Sequence, residues 1–429
     1  MGYPRPVVAG GTYALTKRTV FRKAFLAPWH PLVMQLWLWS LAGAQRLTSV
    51  AIHHTTLNVS HQHSTVTTEE ANLPEFTGYV HREMSKGLNV LLAELGYEQP
   101  GQIFEERQVH QMRLLDADAC MSHILYERLN GVAAGLVDRP EDMPDCRFDF
   151  GLWKGEPLVI ERPDIYCSKD TPKQQELFIT VDPQTFIEFR GDLDRIVHHF
   201  RTGERSGVKA FRKARTFPVL GAKKVRRIHP WNEPRTNRES GGQVIPTFKI
   251  GARGVAGRKK RIVACQEVTA FRRDHADANE VRRNGGNATY PAGTYKMRVE
   301  HDANVATPDS GAVLTAPGMT LDEAVAMLCD CPELRKGTST TPERVAEAFA
   351  EEAADVLAED RMTFSNPGDG SHGDDVEAES ESEGERPQLE VQRRSKTRRE
   401  SKAAKVVTLR DYRRGRPKKK KPKGKEPPR

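Results

Sequence analysis

The first 130 residues alternate between strand-like and helix-like segments, and this alternation limits the fold more than any other feature of the chain. Residues 12–20 are predicted to form a strand, and Pro31 begins a predicted helix because proline is tolerated in the first helical turn. A second strand over 48–56, a helix from Leu73 and a strand-like stretch over 101–115 follow. The alternation indicates a chain that combines helices with a sheet, but it does not fix how the strands pair.

Two histidines lie one residue apart in the Thr- and Val-rich segment 57–67. This composition predicts a strand, in which side chains at positions i and i+2 point to the same face. His61 and His63 would therefore present two imidazoles side by side, with Gln62 turned away. Two such imidazoles can share one divalent metal ion. Because the chain contains 14 histidines, a chance His-x-His pair stays open as the alternative.

A third helix is predicted to begin after Asp116, since aspartate is a favoured helix N-cap, and to run to about Asn130. At about 100° per residue, Tyr126 lies away from the centre of the apolar stripe of this helix. Asn130 follows one turn later and shares the face of Tyr126. The core does not need this tyrosine, which makes it a candidate functional residue. An exposed tyrosine without a role stays open as the alternative.

The chain becomes basic after residue 150 and carries a net charge of +8, which favours an anionic partner. Basic clusters with aromatic residues among them extend over residues 151–305. This pattern indicates nucleic acid, because cations neutralise phosphates and aromatic rings stack on unpaired bases. For each cluster taken alone, an ordinary basic surface stays open as the alternative.

Residues 306–361 are predicted to form a helical acidic segment, and residues 362–429 a disordered tail that is first acidic and then basic. Arg414 and Arg416 lie in a short stretch that is similar to an AT-hook, whose arginines enter a narrow A·T minor groove. A generic polycationic tail stays open as the alternative.

The six cysteines contain no C-x-x-C pair, so a zinc site built from cysteines is not expected. A reducing cytoplasm is the simplest compartment for such a chain. The N-terminus does not have the pattern of a signal peptide, and the most apolar stretch, residues 31–44, is too short to span a bilayer. No membrane partner is therefore expected.

Several segments resemble the single-tyrosine HUH transposases, in particular the REP-associated tyrosine transposases of bacteria. Residues 11–18 resemble the opening strand of that family, residues 60–63 its His-hydrophobic-His strand, and residues 116–137 its tyrosine helix and the exit from it. Residues 290–298 resemble a later element of long members, so the resemblance covers most of 9–305 and is dense only in the first 140 residues. Two positions depart from the family pattern: Gln62 replaces a hydrophobic residue, and Gly131 replaces a proline.

The resemblance implies an α+β fold, with a ferredoxin-like antiparallel sheet and flanking helices, the HUH nuclease fold, in residues 1–150. It implies that Tyr126 attacks a phosphate of single-stranded or hairpin DNA and forms a 5′-phosphotyrosine. The resemblance also implies Mg²⁺ or Mn²⁺ as cofactor, DNA as partner, and a nucleoid-associated bacterial protein in the cytoplasm, while a homodimer stays open. The implied metal ligands are His61, His63 and Asn130. The predicted DNA contacts are Lys17 and Arg18 in the opening strand, together with Arg414 and Arg416 in the AT-hook-like stretch.

Two other functions stay open at the level of the sequence. The first is a non-catalytic DNA-binding protein derived from such a transposase, which the departures at Gln62 and Gly131 favour. The second is a metal-dependent phosphodiesterase or nuclease in which Tyr126 is idle.

Overall fold

A computed structural model of the chain describes residues 4–144, 148–165, 175–183, 193–233, 246–309 and 311–315. Arg414 and Arg416 lie outside the described residues. The predicted helical part of the acidic segment and the acidic-then-basic tail also lie outside them, so what the sequence predicts for these parts stays a prediction.

Strands and helices follow each other in the order that the sequence predicts for the first 130 residues. The strands are β1 (Gly11–Arg18), β2 (Val50–Leu57), β3 (His61–Thr68), β4 (His110–Leu114), β5 (Leu158–Glu161), β6 (Glu176–Ile179), β7 (Phe248–Lys249), β8 (Thr289–Tyr290) and β9 (Asn304–Val305). The helices are α1 (Pro31–Thr48), α2 (Leu73–Glu94), α3 (Ala117–Ala133), α4 (Leu193–Ala214), α5 (Ala222–Val225), α6 (Gly254–Arg283) and α7 (Tyr295–His301). The strand-like stretch predicted over 101–115 is a strand only from His110 onward, after a turn in which Gly101 has a φ of +71°.

The central sheet has the strand order β2-β3-β1-β4-β7. Strand β1 is antiparallel to β3 and β4, and β2 is antiparallel to β3. Strand β3 therefore lies between the parallel strands β1 and β2, which is the split βαβ connectivity of a ferredoxin-like sheet. The chain thus folds as α+β.

Strand β7 corrects the expectation of a wholly antiparallel sheet, because it pairs in parallel with β4 through Arg113–Phe248 and Leu114–Lys249. The sheet is therefore mixed at this edge. A parallel neighbour needs a long crossover connection, and β7 reaches β4 only after more than a hundred intervening residues. A strand of two residues has too little periodicity for the sequence to predict.

Helix α3 begins where the sequence predicts. Asp116 accepts a hydrogen bond from the N–H of Ala119 at 2.8 Å, as an N-cap does. The same carboxylate also accepts from the N–H groups of Gly251 at 3.0 Å and Ala252 at 3.1 Å, so it joins the start of α3 to the segment that leads into α6. A side chain at position 251 would place its Cβ 2.4 Å from the Cβ of Asp118, so this close approach requires glycine.

The two faces of the sheet contact different helices. Gln62 contacts His81 of α2 with 3.3 Å between Nε2 atoms, whereas the next residue, His63, lies against Tyr126 of α3. Neighbouring residues of a strand point to opposite faces, so α2 and α3 cover opposite faces of the sheet. Helix α1 packs against α2. The face of β3 that carries the histidine pair is therefore the face that α3 covers.

Aromatic residues after position 148 belong to the hydrophobic core that also contains residues of β1 to β4. Phe200 of α4 packs on Phe150 and Trp153 with ring centroids 5.0 and 4.8 Å apart. The indole N–H of Trp153 donates to the carbonyl of His53 in β2 at 2.9 Å.

The four-part division predicted from the sequence (1–150, 151–305, 306–361 and 362–429) stays a prediction. Among the described residues, no helix has the length and apolar character that a membrane span requires.

Candidate active site

The two imidazoles lie side by side on β3, as the two-residue period of a strand predicts. The ring centroids of His61 and His63 are 4.7 Å apart, with the rings at 86° to each other. Both side chains are buried at the surface that meets α3. Gln62, between them, points to the other face of the sheet.

One ring nitrogen of His63 is held by a hydrogen bond, and the other has no hydrogen-bond partner among the described residues. The hydroxyl of Thr16, which lies opposite His63 on β1, is 2.8 Å from Nδ1. Nε2 is buried and has no hydrogen-bond partner among the described residues. Burial, followed by the nearby His61, His123 and Arg18, holds the pKa of His63 well below its usual value, so the ring is neutral. A neutral imidazole with one anchored nitrogen is the form that binds a metal ion.

Both ring nitrogens of His61 have polar neighbours, unlike those of His63. Its Nε2 lies 3.3 Å from the side-chain amide nitrogen of Asn58. Its Nδ1 lies 3.5 Å from the hydroxyl of Ser60. Both ring nitrogens therefore have a polar neighbour, and His61 can bind a metal ion through Nε2 only after Asn58 turns away.

Tyr126 of α3 lies against His63, with ring centroids 5.4 Å apart at 79°. The tyrosine ring also packs against His123, with centroids 5.6 Å apart at 32°. Tyr126 is half-buried. The structure therefore brings the phenol of the predicted tyrosine helix together with the predicted histidine strand.

Asn130 follows Tyr126 by one helical turn and is buried. Among the described residues, no group of three or more His, Cys, Asp or Glu side chains is arranged to hold a metal ion. The predicted donor set would consist of the two imidazoles and the amide oxygen of Asn130. Such a set would suit a loosely held divalent cation, and its imidazoles would suit Mn²⁺ better than Mg²⁺.

The register of β1 separates the two predicted DNA contacts of this strand. Arg18 lies opposite His61, and Lys17 lies opposite Gln62. Arg18 is therefore on the face of the histidine pair, and Lys17 is on the other face. There the ammonium group of Lys17 donates to the carbonyl of Arg107, and burial lowers its pKa against the opposing effect of Glu105. The structure brings Arg18, but not Lys17, to the candidate site.

The packing provides polar partners for Gln62 and leaves room for a side chain at Gly131. Gln62 is buried, but its Oε1 accepts a hydrogen bond from Ser64 at 3.0 Å and its amide nitrogen contacts His81. The amide therefore does not bear the cost of an unpaired polar group. At Gly131, an added Cβ would meet Met143 and Val137 at 3.5 and 3.7 Å, which are ordinary contacts.

A fully buried carboxyl group next to Tyr126 was not predicted from the sequence. Glu127 is 0% exposed, and burial raises its pKa well above the usual value, against the hydrogen bond from Thr65. Its Oε2 lies 3.0 Å from Nδ1 of His54, and its Oε1 lies 3.5 Å from Nε2 of His123. Burial and the nearby Arg128 lower the pKa of His54 to about 3. The i, i+4 spacing of His123 and Glu127 on one helix was the available signal.

Comparison with known proteins gives a distant likeness to a solved structure. No protein-family model matches the chain, and no curated protein is similar to it in sequence. A solved structure of a REP-associated tyrosine transposase bound to a REP hairpin is 17% identical, covers 34% of this chain and 80% of its own chain, and has a TM-score of 0.28. A likeness of this size indicates a distant relationship at most, and it establishes neither family membership nor activity.

Proposed function

We propose that the chain is a metal-dependent DNA strand transferase of the single-tyrosine HUH type that acts on hairpin DNA in the bacterial cytoplasm. One observation carries the proposal: the ring of Tyr126 lies 5.4 Å from the ring of His63. Thr16 holds Nδ1 of this histidine, and its Nε2 has no hydrogen-bond partner among the described residues. Phosphoryl transfer through a covalent intermediate needs a positioned nucleophile, and a metal-binding imidazole beside it would bring a Lewis acid to the same phosphate.

In the proposed reaction the phenol oxygen of Tyr126 forms a bond to phosphorus, and its proton passes to solvent. The bond between phosphorus and the 3′ oxygen breaks, and this oxygen leaves with the electron pair and takes up a proton. The products are a 5′-phosphotyrosine and a free 3′ hydroxyl. Because the covalent link retains the phosphoester, a second strand can reverse the step without ATP.

The neighbouring side chains position the phosphate and neutralise it. Thr16 fixes the ring of His63, and Arg18 offers a guanidinium group on the same face of the sheet. A Mg²⁺ or Mn²⁺ ion held by His61, His63 and Asn130 would supply Lewis-acid polarisation of the phosphate. These residues orient the reactants, while Tyr126 alone changes its covalent bonds.

A trapping experiment tests this proposal. The full chain is incubated with Mn²⁺ and a fluorescent pool of hairpin oligonucleotides that carry randomised single-stranded flanks. We expect an adduct that survives denaturing electrophoresis, and mass spectrometry of its peptides is expected to place the nucleotide on Tyr126. Binding without an adduct would instead identify a non-catalytic DNA-binding protein. Cleavage without an adduct would identify a nuclease.

We expect the DNA backbone to follow an exposed basic surface on α5 and the turn after it, which we name the α5 basic surface. It consists of Lys223, Lys224, Arg226 and Arg227, and none of the four forms an ion pair with another described residue. Val225, between them, is buried in the hydrophobic cluster that contains Val59 and Leu129. Val59 precedes the histidine strand and Leu129 belongs to α3, so α5 packs on the same hydrophobic cluster as two elements of the candidate site.

Reversing the four charges of the α5 basic surface to glutamate is expected to weaken hairpin binding by at least about 10-fold at low salt, because each lost phosphate contact removes counterion release. The slope of log affinity against log salt is expected to become shallower, and fluorescence anisotropy measures both quantities. The matched control reverses four exposed basic residues of α6, namely Arg258, Lys259, Arg282 and Arg283. Equal losses in both variants would show that net charge alone sets the affinity.

A further inference from the structure

We propose that Glu127 is a positioning residue that holds Tyr126 against the histidine pair. The inference rests on the proposed function, since it assigns Glu127 a role in the reaction of Tyr126. Glu127 immediately follows Tyr126 on α3, and its side chain is fully enclosed. Glutamate is almost never fully buried unless it is paired, so its partners indicate what it does.

The carboxyl group of Glu127 joins α3 to two strands. Oε1 accepts a hydrogen bond from the hydroxyl of Thr65 on β3 at 3.0 Å. Oε2 shares a hydrogen bond with Nδ1 of His54 on β2, also at 3.0 Å. Two anchors on neighbouring strands fix both the height and the rotation of the helix on the sheet. Because Tyr126 is the adjacent residue, the same anchors fix its direction.

A second chain of contacts leads from Glu127 to the candidate metal ligand. Oε1 of Glu127 lies 3.5 Å from Nε2 of His123, one helical turn earlier. The ring of His123 packs on Tyr126, and Tyr126 packs on His63, with centroid distances of 5.6 and 5.4 Å. Without the carboxyl group, His123 loses a polar neighbour that helps to fix its ring. The ring of Tyr126 then packs against a less firmly held imidazole.

A β-bulge directs His54 toward Glu127. The register of β2 against β3 shifts between Ile52 and His54, which leaves His53 as the extra residue. His53 then contacts Thr67 at 2.7 Å and His54 contacts Glu127, so both imidazoles point to the face that α3 covers. Bulges re-aim side chains beside active sites.

Stability alone does not explain this cluster. Replacing a buried polar cluster by apolar residues of similar volume is often neutral or stabilising. A carboxyl group enclosed between His54, His123 and Thr65 therefore offers the fold little that apolar packing would not. The carboxyl group instead fixes the orientation of α3 on the sheet, because hydrogen bonds restrict the angle of a helix face more narrowly than apolar contacts do.

The test compares Glu127→Ala with Glu127→Gln in the full chain. Glutamine keeps an oxygen for the hydroxyl of Thr65 and a polar group toward His54, so it is the conservative rescue. For Glu127→Ala, the rate of adduct formation at saturating hairpin and Mn²⁺ is expected to fall by about 100-fold, the loss that a misplacement of roughly 1 Å causes. The dissociation constants for hairpin and Mn²⁺ are expected to stay within about twofold, and Glu127→Gln is expected to recover most of the rate.

A second readout is independent of activity. The chain is labelled with 3-fluorotyrosine, and the ¹⁹F resonance of Tyr126 is assigned by its loss in Tyr126→Phe. We expect one sharp resonance in the wild type and in Glu127→Gln, and a shifted or split resonance in Glu127→Ala. If the alanine variant does not fold, Thr65→Val removes one anchor at nearly constant volume and is expected to shift the resonance in the same direction.

An unchanged resonance in Glu127→Ala, or a rate that falls only with the folded fraction, would overturn the positioning role. Failure of the proposed function looks different. In that case the wild type forms no adduct at all, whereas the ¹⁹F comparison still decides whether Glu127 fixes the tyrosine ring.

Discussion

Replacing Tyr126 with phenylalanine is expected to abolish the covalent DNA adduct and to leave hairpin affinity within about twofold of the wild type. The variant keeps the aromatic ring that packs on His63 and His123, so the packing of α3 on β3 is retained. It loses only the hydroxyl group, which is the atom that bonds to phosphorus in the proposed reaction. Electrophoresis under denaturing conditions measures the adduct, and fluorescence anisotropy measures the affinity.

Tyr97→Phe is the matched control for this prediction. Tyr97 is also a half-buried tyrosine among aromatic residues, since it packs on Trp29 and His229. Its hydroxyl has no part in the proposed reaction, so adduct formation is expected to continue at the wild-type rate. A Tyr126→Phe variant that still cleaves the oligonucleotide into free ends would contradict the strand-transferase proposal. The metal-dependent nuclease would then be the better account.

Local periodicity was sufficient to predict the parts of the candidate site that lie on single elements. The two-residue period of a strand placed His61 and His63 on one face, and the N-cap chemistry of Asp116 placed the start of the tyrosine helix. These predictions succeed because the relevant geometry is contained within a few neighbouring residues. The same period, applied to β1, would also have separated Arg18 from Lys17.

Features that depend on distant residues could not be predicted in this way. Glu127 meets His54 across 73 positions of sequence, and it does so through a bulge that the pattern of β2 does not reveal. The Gly251 contact with Asp116 spans 135 positions. Periodicity records which face a residue occupies, but the pairing of faces is set by packing over the whole core. A buried carboxyl group between two elements is therefore visible only in three dimensions.

Replacing His63 with alanine is expected to lower Mn²⁺-dependent adduct formation by at least about 100-fold. The reason is that Nε2 of His63 is buried without a hydrogen-bond partner among the described residues, while the hydroxyl of Thr16 holds Nδ1. Nε2 is therefore the nitrogen that would bind the cation, with Thr16 orienting the ring. Thr16→Val keeps the shape of that partner but removes its hydrogen bond, and it is expected to weaken Mn²⁺ binding by about 10-fold. Electron paramagnetic resonance of free Mn²⁺ measures binding without any reaction.

His81→Ala separates loss of a metal ligand from loss of an imidazole on the other face of the sheet. His81 is half-buried, belongs to α2 and contacts Gln62 on the face of the sheet opposite to His63. Burial lowers its pKa to about 3, so it too is neutral. Mn²⁺ affinity is therefore expected to survive in His81→Ala and to fall in His63→Ala. Equal Mn²⁺ affinity in the two variants would mean that the cation is not held by the histidine pair. Tyr126 and His63 would then meet only as packing partners, and the attacking group would have no polarised phosphate beside it.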